Sequence, residues 1–359
     1  MNCRSLTILL LLVAHVQAMK AQATADTVPR RRGVVAALYR FVKGFSQVDT
    51  AYVEPQRYNL AVMAQNTNTY EVYRMRSGQG HDFVFSPKPS VKLGPYFGWR
   101  WIFLGYTFDI SHLRESNHKQ DLNLSLYSNQ IGVDIFYRKT GDDYKIRSID
   151  LGDGIDTSCL KDLPFDGISA SIKGFNLYYI FNHRKFSYPA AYSQSTVQRR
   201  SAGSFLAGIG YTRHSLDVDW QKLSQIVERH TGHGLFDGVD PQQHLLSRVK
   251  YSDYSISGGY AYNWVFAHNW LLDASLSLAL AYKVTEGDSR NSDNWFRSIS
   301  LNKFNMDGIT RIGVVWNNTR WFAGANAIFH SYNYRKSQFS TNNTFGSVNI
   351  YVGLNFDRR

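Results

Sequence analysis

Val348-Asn349-Ile350-Tyr351-Val352-Gly353-Leu354-Asn355-Phe356 alternates without a break: five apolar residues are interleaved with Asn349, Tyr351, Gly353 and Asn355. Period-two alternation of this length describes a strand with one apolar and one polar face. The strand sits almost at the C-terminus and ends in an aromatic, as the closing strand of a membrane barrel does. It predicts lipid against Val348, Ile350, Val352, Leu354 and Phe356, and a polar interior against the residues between them. The expected fold is all-β: an antiparallel transmembrane β-barrel of about 12 strands (range about 10–14) with a short N-terminal amphipathic helix.

Working outward, the same alternation recurs. Ile102, Leu104, Tyr106, Phe108 and Ile110 share one face, and Phe103, Gly105, Thr107 and Asp109 the other. Leu122, Leu124 and Leu126 alternate with Asp121, Asn123 and Ser125, and Ile131, Val133, Ile135 and Tyr137 with Gly132, Asp134, Phe136 and Arg138. Comparable stretches cover 70–77, 90–97, 168–181, 205–214, 255–266, 271–283, 309–317 and 321–334. Each is about ten residues long, the length that crosses a bilayer at a tilt. A soluble barrel would bury its apolar face and solvate the other with Lys and Glu; here the polar face carries small and amide residues.

Connection lengths test this. With the C-terminus on the periplasmic side, the turns at 318–319, 267–269, 128–129 and 98–100 fall on that side and are short. The connections 335–345, 285–308, 215–250, 141–167 and 111–118 fall outside and are longer, as membrane barrels require. Parity makes 70–77 the first strand and 58–65 a periplasmic lead-in. One connection breaks the rule: 182–203 is long yet falls on the periplasmic side.

Composition and the N-terminus agree with export. Arg4, the apolar run Leu6 to Val13 and Ala21-Gln22-Ala23 read as a signal peptide over 1–23, with Val16-Gln17-Ala18 a second cleavage option. Residues 24–69 form a periplasmic lead in which Val34, Val35, Leu38, Phe41, Val42 and Phe45 mark an amphipathic helix, and 70–359 form the barrel domain. No stretch holds about 18 consecutive apolar residues, so no transmembrane helix is expected. Removal of the signal leaves Cys159 alone, which excludes an intrachain disulfide. The formal charge of +12 suits anionic surroundings such as lipid phosphate. Aromatics reach 15%, gathered at strand ends rather than interleaved with basic residues, so no nucleic acid is expected as a partner.

The exceptional connection also carries a resemblance. Phe181-Asn182-His183-Arg184-Lys185-Phe186-Ser187-Tyr188-Pro189-Ala190-Ala191-Tyr192 and Gln198-Arg199-Arg200-Ser201-Ala202-Gly203-Ser204, with Asp49-Thr50-Ala51-Tyr52-Val53 and Gly94-Pro95-Tyr96-Phe97-Gly98-Trp99-Arg100-Trp101, form its core. From Asp49 onward the chain resembles domain-of-unknown-function family 4421, uncharacterised barrel-like outer-membrane proteins of Bacteroidetes-type bacteria. The resemblance implies the fold and the outer membrane as address, and supplies no catalytic residue.

Candidate chemistry is sparse. Asp109, Asp134, Arg138, Asp273, Lys283 and Arg311 lie on polar strand faces and are candidates to line a lumen, where they set ion selectivity or plug the barrel as an ion-pair network. Arg184, Lys185, Arg199 and Arg200 form a basic cluster in the exceptional connection, a candidate contact for lipid phosphate or a periplasmic protein partner. The Asp-rich stretch 142–166 lacks the spacing of a calcium loop, with Lys161 where the bidentate acid belongs. His214 and Ser215 are adjacent on one strand and point to opposite faces, so they cannot form a nucleophile–base pair. No catalytic residue, metal site or cofactor is expected, and a monomer surrounded by outer-membrane lipid is. Residues 219–230 read as a short helix capped by Asp219. Function reads first as a pore or small-solute transporter. Second is a structural or interaction barrel with a blocked lumen that binds a periplasmic or surface partner, and third a lipid-modifying membrane enzyme.

Overall fold

The computed structural model describes residues 47–77, 80–99, 102–105, 108–109, 119–140, 143–152, 154–235, 248–285, 304–336 and 339–358. The predicted signal peptide and the amphipathic helix lie outside them.

Strands dominate: β1 (Val53–Pro55), β2 (Tyr58–Ser77), β3 (Asp82–Pro87), β4 (Ser90–Trp99), β5 (Ile102–Gly105), β6 (Phe108–Asp109), β7 (Gln120–Tyr127), β8 (Ile131–Lys139) and β9 (Tyr144–Asp150) come first. Then follow β10 (Ile168–Ile180), helix α1 (Tyr188–Tyr192), β11 (Thr196–Gln198), β12 (Ala202–Val218), helix α2 (Trp220–Thr231), β13 (Arg248–Ala267), β14 (Trp270–Thr285), β15 (Phe304–Asn317), β16 (Trp321–Lys336) and β17 (Phe339–Arg358).

One sheet runs in the order β5-β4-β2-β17-β16-β15-β14-β13-β12-β10-β8-β7, with β6 also on β4, and every pairing is antiparallel. The C-terminal strand β17 seals against β2, pairing Phe339 with Ser77 at one end and Arg358 with Tyr58 at the other. The sheet curls until its far edges approach: Lys92 Nζ on β4 meets Asp121 on β7 at 3.0 Å. Among the described residues no pairing joins β5 or β6 to β7, so the curl is an incompletely closed barrel.

Alternation sorts the side chains as read. Ile350, Val352 and Phe356 face outward and are exposed, whereas Tyr351 and Asn355 are buried inside. The outward belt continues through Ile209, Ile256, Leu276, Leu278 and Ile312, with Trp264, Phe266, Trp270 and Trp321 towards the short-turn end. Those turns are tight: Asn269 (φ 64°) and Thr319 (φ 78°) take the left-handed conformation, and the Asn318 side chain receives the Arg320 and Trp321 N–H groups.

Three readings need correction. The segment 58–65 is no lead-in, because β2 starts at Tyr58 and pairs along its whole length with β17. The strands are neither even nor ten residues long; β2, β13 and β17 each reach 20 residues and project beyond the apolar belt. The outer connection 141–167 is not a plain loop, since it contains β9, which pairs with β3, and β3 pairs in turn with β2.

Candidate functional site

The inner face of the sheet is where charge collects, and it is full. Buried charge in a low-dielectric interior survives only when paired. Arg311 on β15 reaches across to Asp134 on β8, which also accepts the Ser125 hydroxyl at 2.7 Å. The Arg311 guanidinium lies 5.0 Å from the Tyr178 ring centre and 6.0 Å from that of Tyr188. One level towards the long loops, Lys283 Nζ bridges Asp253 at 2.6 Å and Asp307 at 3.1 Å. Arg138 approaches Asp121 at 3.4 Å and covers Phe345 at 4.9 Å.

Aromatic stacks fill the space between these pairs. His330 stacks on Phe345 with ring centres 5.0 Å apart, and His214 on Tyr251 at 4.4 Å. A cavity of about 40 Å³ lined by Asp134, Phe136, Arg138 and His330 holds little more than a water molecule.

The short-turn end is stopped by the connection that broke the length rule. Between β10 and β12 the chain enters the barrel, forms α1 and returns through β11, which pairs with β1. Phe186, Tyr188, Ala190 and Ala191 are buried there against Tyr127, Tyr178, Leu271 and Phe322. Several of its polar groups bond to the wall: Tyr192 donates to Asp273, Gln194 Nε2 donates to the Tyr351 hydroxyl at 3.0 Å, and Asn317 donates to Gln194 at 3.0 Å. Asn263 donates to the Ser187 carbonyl at 2.9 Å and to Gln198 at 3.1 Å.

The long-loop end is covered by a second apolar core. Phe83 and Phe85 of β3, Tyr144, Ile146 and Ile149 of β9, Phe165, and Trp220, Leu223 and Val227 of α2 pack together over Tyr73, Tyr251 and Tyr334. The helix is capped as expected, the Asp219 carboxylate accepting the Lys222 N–H at 2.9 Å, and its Gly232 closes the C-terminus at φ 74°. Its apolar face docks Trp220 against Phe83, ring centres 5.3 Å apart.

Of the six lumen candidates, Asp134, Arg138, Asp273, Lys283 and Arg311 are all buried on the inner face, and none is free. The sixth, Asp109, belongs to β6, and its side chain lies outside the described residues. The basic cluster is divided. Arg199 is held by Glu54 of β1, Nε to carboxylate 2.7 Å, and by Asn269 at 2.9 Å. Lys185 and Arg200 flank the Tyr52 ring at 5.0 and 5.9 Å, and Arg184 reaches Gln47 at 3.5 Å. In the Asp-rich stretch, Asp162 pairs with Arg147 and Asp166 with Lys222, each at 2.6 Å. Among the described residues no group of His, Cys, Asp or Glu is arranged to hold a metal ion.

Sequence reasoning missed Asp253, Asp307 and Tyr192. Asp253 lies two residues before the expected start of its strand, and Asp307 fell in an assumed outer loop. Longer strands, carried outward at the same parity, would have placed both inside.

The profile of the family described as Domain of unknown function (DUF4421) matches residues 47–356. The chain belongs to that family. No curated protein sequence matches the chain. Among solved structures, the outer membrane protease OmpT from Escherichia coli is similar at 8% identity and a TM-score of 0.36, over 83% of this chain and 97% of that one. The translocator domain of the autotransporter NalP from Neisseria meningitidis is similar at 10% identity and 0.28, over 90% and 97%. The toluene transporter TodX of P. putida is similar at 8% and 0.21, over 84% and 91%. Scores this low say nothing about activity. Family, antiparallel curl and outward apolar belt belong together: this is an outer-membrane protein of the β-barrel type.

Proposed function

We propose that the chain closes into a twelve-stranded transmembrane barrel with an occluded lumen, a structural or interaction barrel rather than an open pore. In this reading the short-turn end faces the periplasm, and the twelve strands of the path from β5 to β7 make up the ring. What supports occlusion is the plug formed by residues 182–203, whose apolar side chains are buried in the barrel mouth while its amides and Tyr192 bind the wall. Above it, among the described residues, three tiers of ion pairs and stacked rings fill the inner face, which supports the same reading. Such an interior gives rigidity, and the exposed parts of the strap, Arg184, Lys185 and Arg200, remain as the surface a periplasmic protein partner would meet.

The experiment is conductance of purified mature protein in planar bilayers. The wild type is expected to insert without steady channel steps, and a variant lacking residues 186–198 to conduct. Stable steps from wild-type protein would overturn the occluded reading and restore the pore.

A further inference from the structure

The outer wall carries a feature that the filled interior does not explain. On β2 the outward residues run Tyr70, Val72, Arg74, Arg76, so the wall changes from apolar to cationic within one step. The neighbours continue that change in register. Arg76 pairs with Ser340, and Ser340 with Arg335; one row lower Arg74 pairs with Asn342, and Asn342 with Asn333. Three guanidiniums, two amides and a hydroxyl therefore form two adjacent rows across β16, β17 and β2. They border a depression of about 440 Å³.

The rows are organised in advance. Arg74 and Arg76 both hold Asp82, at the start of β3, yet their side chains stay 56% and 59% exposed while Asp82 is 10% exposed. Burial alone would raise the Asp82 carboxyl; the two guanidiniums more than offset it and hold the group below its ordinary range. One carboxylate thus sets the geometry of two cations and neutralises only one charge. Arg335 has no carboxylate partner among the described residues. The amides are linked too, Asn342 donating to Asn333 at 2.7 Å, and Asn333 donating to the Met306 carbonyl at 2.6 Å.

Met306 joins this polar depression to a second, apolar one. A groove of about 410 Å³ runs along the belt between Ile256, Leu278, Leu280 and Met306. It exists because glycine replaces a side chain on both flanks of Leu278: Gly258 on β13 and Gly308 on β15 are its cross-strand partners. A Cβ at Gly258 would meet nothing within 4 Å, so the gap is open to the bilayer.

A cationic, amide-lined depression at the edge of the apolar belt, continuous with a groove descending along that belt, matches an amphiphile with an anionic head and an acyl tail. We propose that this wall is a specific binding site for a phosphorylated glycolipid of the outer leaflet, of the lipid A class. The guanidiniums take the phosphate by charge-assisted hydrogen bonds, the form in which arginine fits that geometry best. Asn333, Asn342 and Ser340 address the sugar hydroxyls, which an ordinary phospholipid head lacks in number. An acyl chain occupies the groove past Met306. The site is on the outside of the barrel, so it stands whether or not the lumen conducts.

The test uses the full mature protein in nanodiscs of phosphatidylethanolamine containing either lipid A or phosphatidylglycerol, with retained lipid read by native mass spectrometry. Wild-type protein should retain one lipid A per chain. Arg74→Ala/Arg76→Ala/Arg335→Ala should lower retention by at least about tenfold, the loss expected when charge-assisted contacts to phosphate are removed. Gly258→Leu, which the open space at that Cβ tolerates, should lower it by filling the groove, and Arg320→Ala, in an exposed turn at the other end of the barrel, should leave it unchanged. Equal retention by wild type and the triple variant would overturn the site. Retention of phosphatidylglycerol as strong as that of lipid A would overturn the glycolipid assignment, and retention unaffected by Gly258→Leu would remove the groove from it.

Discussion

Arg311 shows what one residue does in this interior. Its guanidinium is 2% exposed and its carboxylate partner Asp134 8% exposed, so both have left water and each depends on the other. Removing one member strands a charge, whereas replacing both removes the penalty along with the attraction. Arg311→Met alone or Asp134→Leu alone should destabilise the barrel by about 3–5 kcal/mol, and Arg311→Met/Asp134→Leu should recover most of that loss. Urea unfolding in detergent, followed by tryptophan fluorescence, gives all three values; additive single effects would show that the two side chains are not coupled. Alternation along β8 and β15 already told that both residues point inward. It could not tell that they meet, because the pair joins positions 177 residues apart and the partner is chosen by the curl of the sheet.

Two elements mark where sequence reading succeeded and where it stopped. The tight turns, the cap of α2 and the face of β17 rest on neighbours in sequence, and each was legible. The first half of β2 was not, because Gln65 to Thr69 is polar on both faces and hides the period. The sheet satisfies those groups laterally instead: Asn68 donates to Asn66 at 2.6 Å on the outer face, while Gln65 and Thr67 donate to Asn349 on the inner. The strap of residues 182–203 was visible only as an anomaly in length, since its contacts lie on strands distant in sequence. It is anchored lightly at its exit, by three residue pairs between β1 and β11 and by the Arg199–Glu54 contact. Glu54→Ala should weaken that anchor by about 1 kcal/mol, the scale of a partly exposed ion pair. Trypsin cleavage at Arg199 and Arg200 should then run about fivefold faster while the heat-stability of the barrel is unchanged. An unchanged cleavage rate would mean that the buried α1 side chains alone hold the strap.

For the whole molecule, the distribution of exposed side chains decides which solvent the protein meets. A soluble sheet of this size would not leave Phe205, Ile209, Ile256, Leu276, Leu278, Ile312 and Ile350 exposed while burying Asp134, Arg138, Asp253, Lys283 and Arg311. The inversion makes sense only when hydrocarbon surrounds the belt and the charges close on one another within. It also has a depth scale. On β12 and β10 the outward face reaches Arg213 and Lys173, which are cross-strand partners, only four residues beyond Ile209 and Phe175's neighbour Leu177. Among the described residues, cations are thus tolerated at the rim and absent from the middle of the belt. Ile209→Arg should therefore cost about 2–4 kcal/mol of folding stability in lipid vesicles, the penalty for arginine near the bilayer midplane. The same substitution in a water-facing sheet would be near neutral, as surface changes are. Ile209→Phe is the control for shape, since it keeps the position apolar and should fold as the wild type does. If Ile209→Arg inserts and unfolds like the wild type, the belt does not face hydrocarbon, and the membrane-spanning reading fails with it.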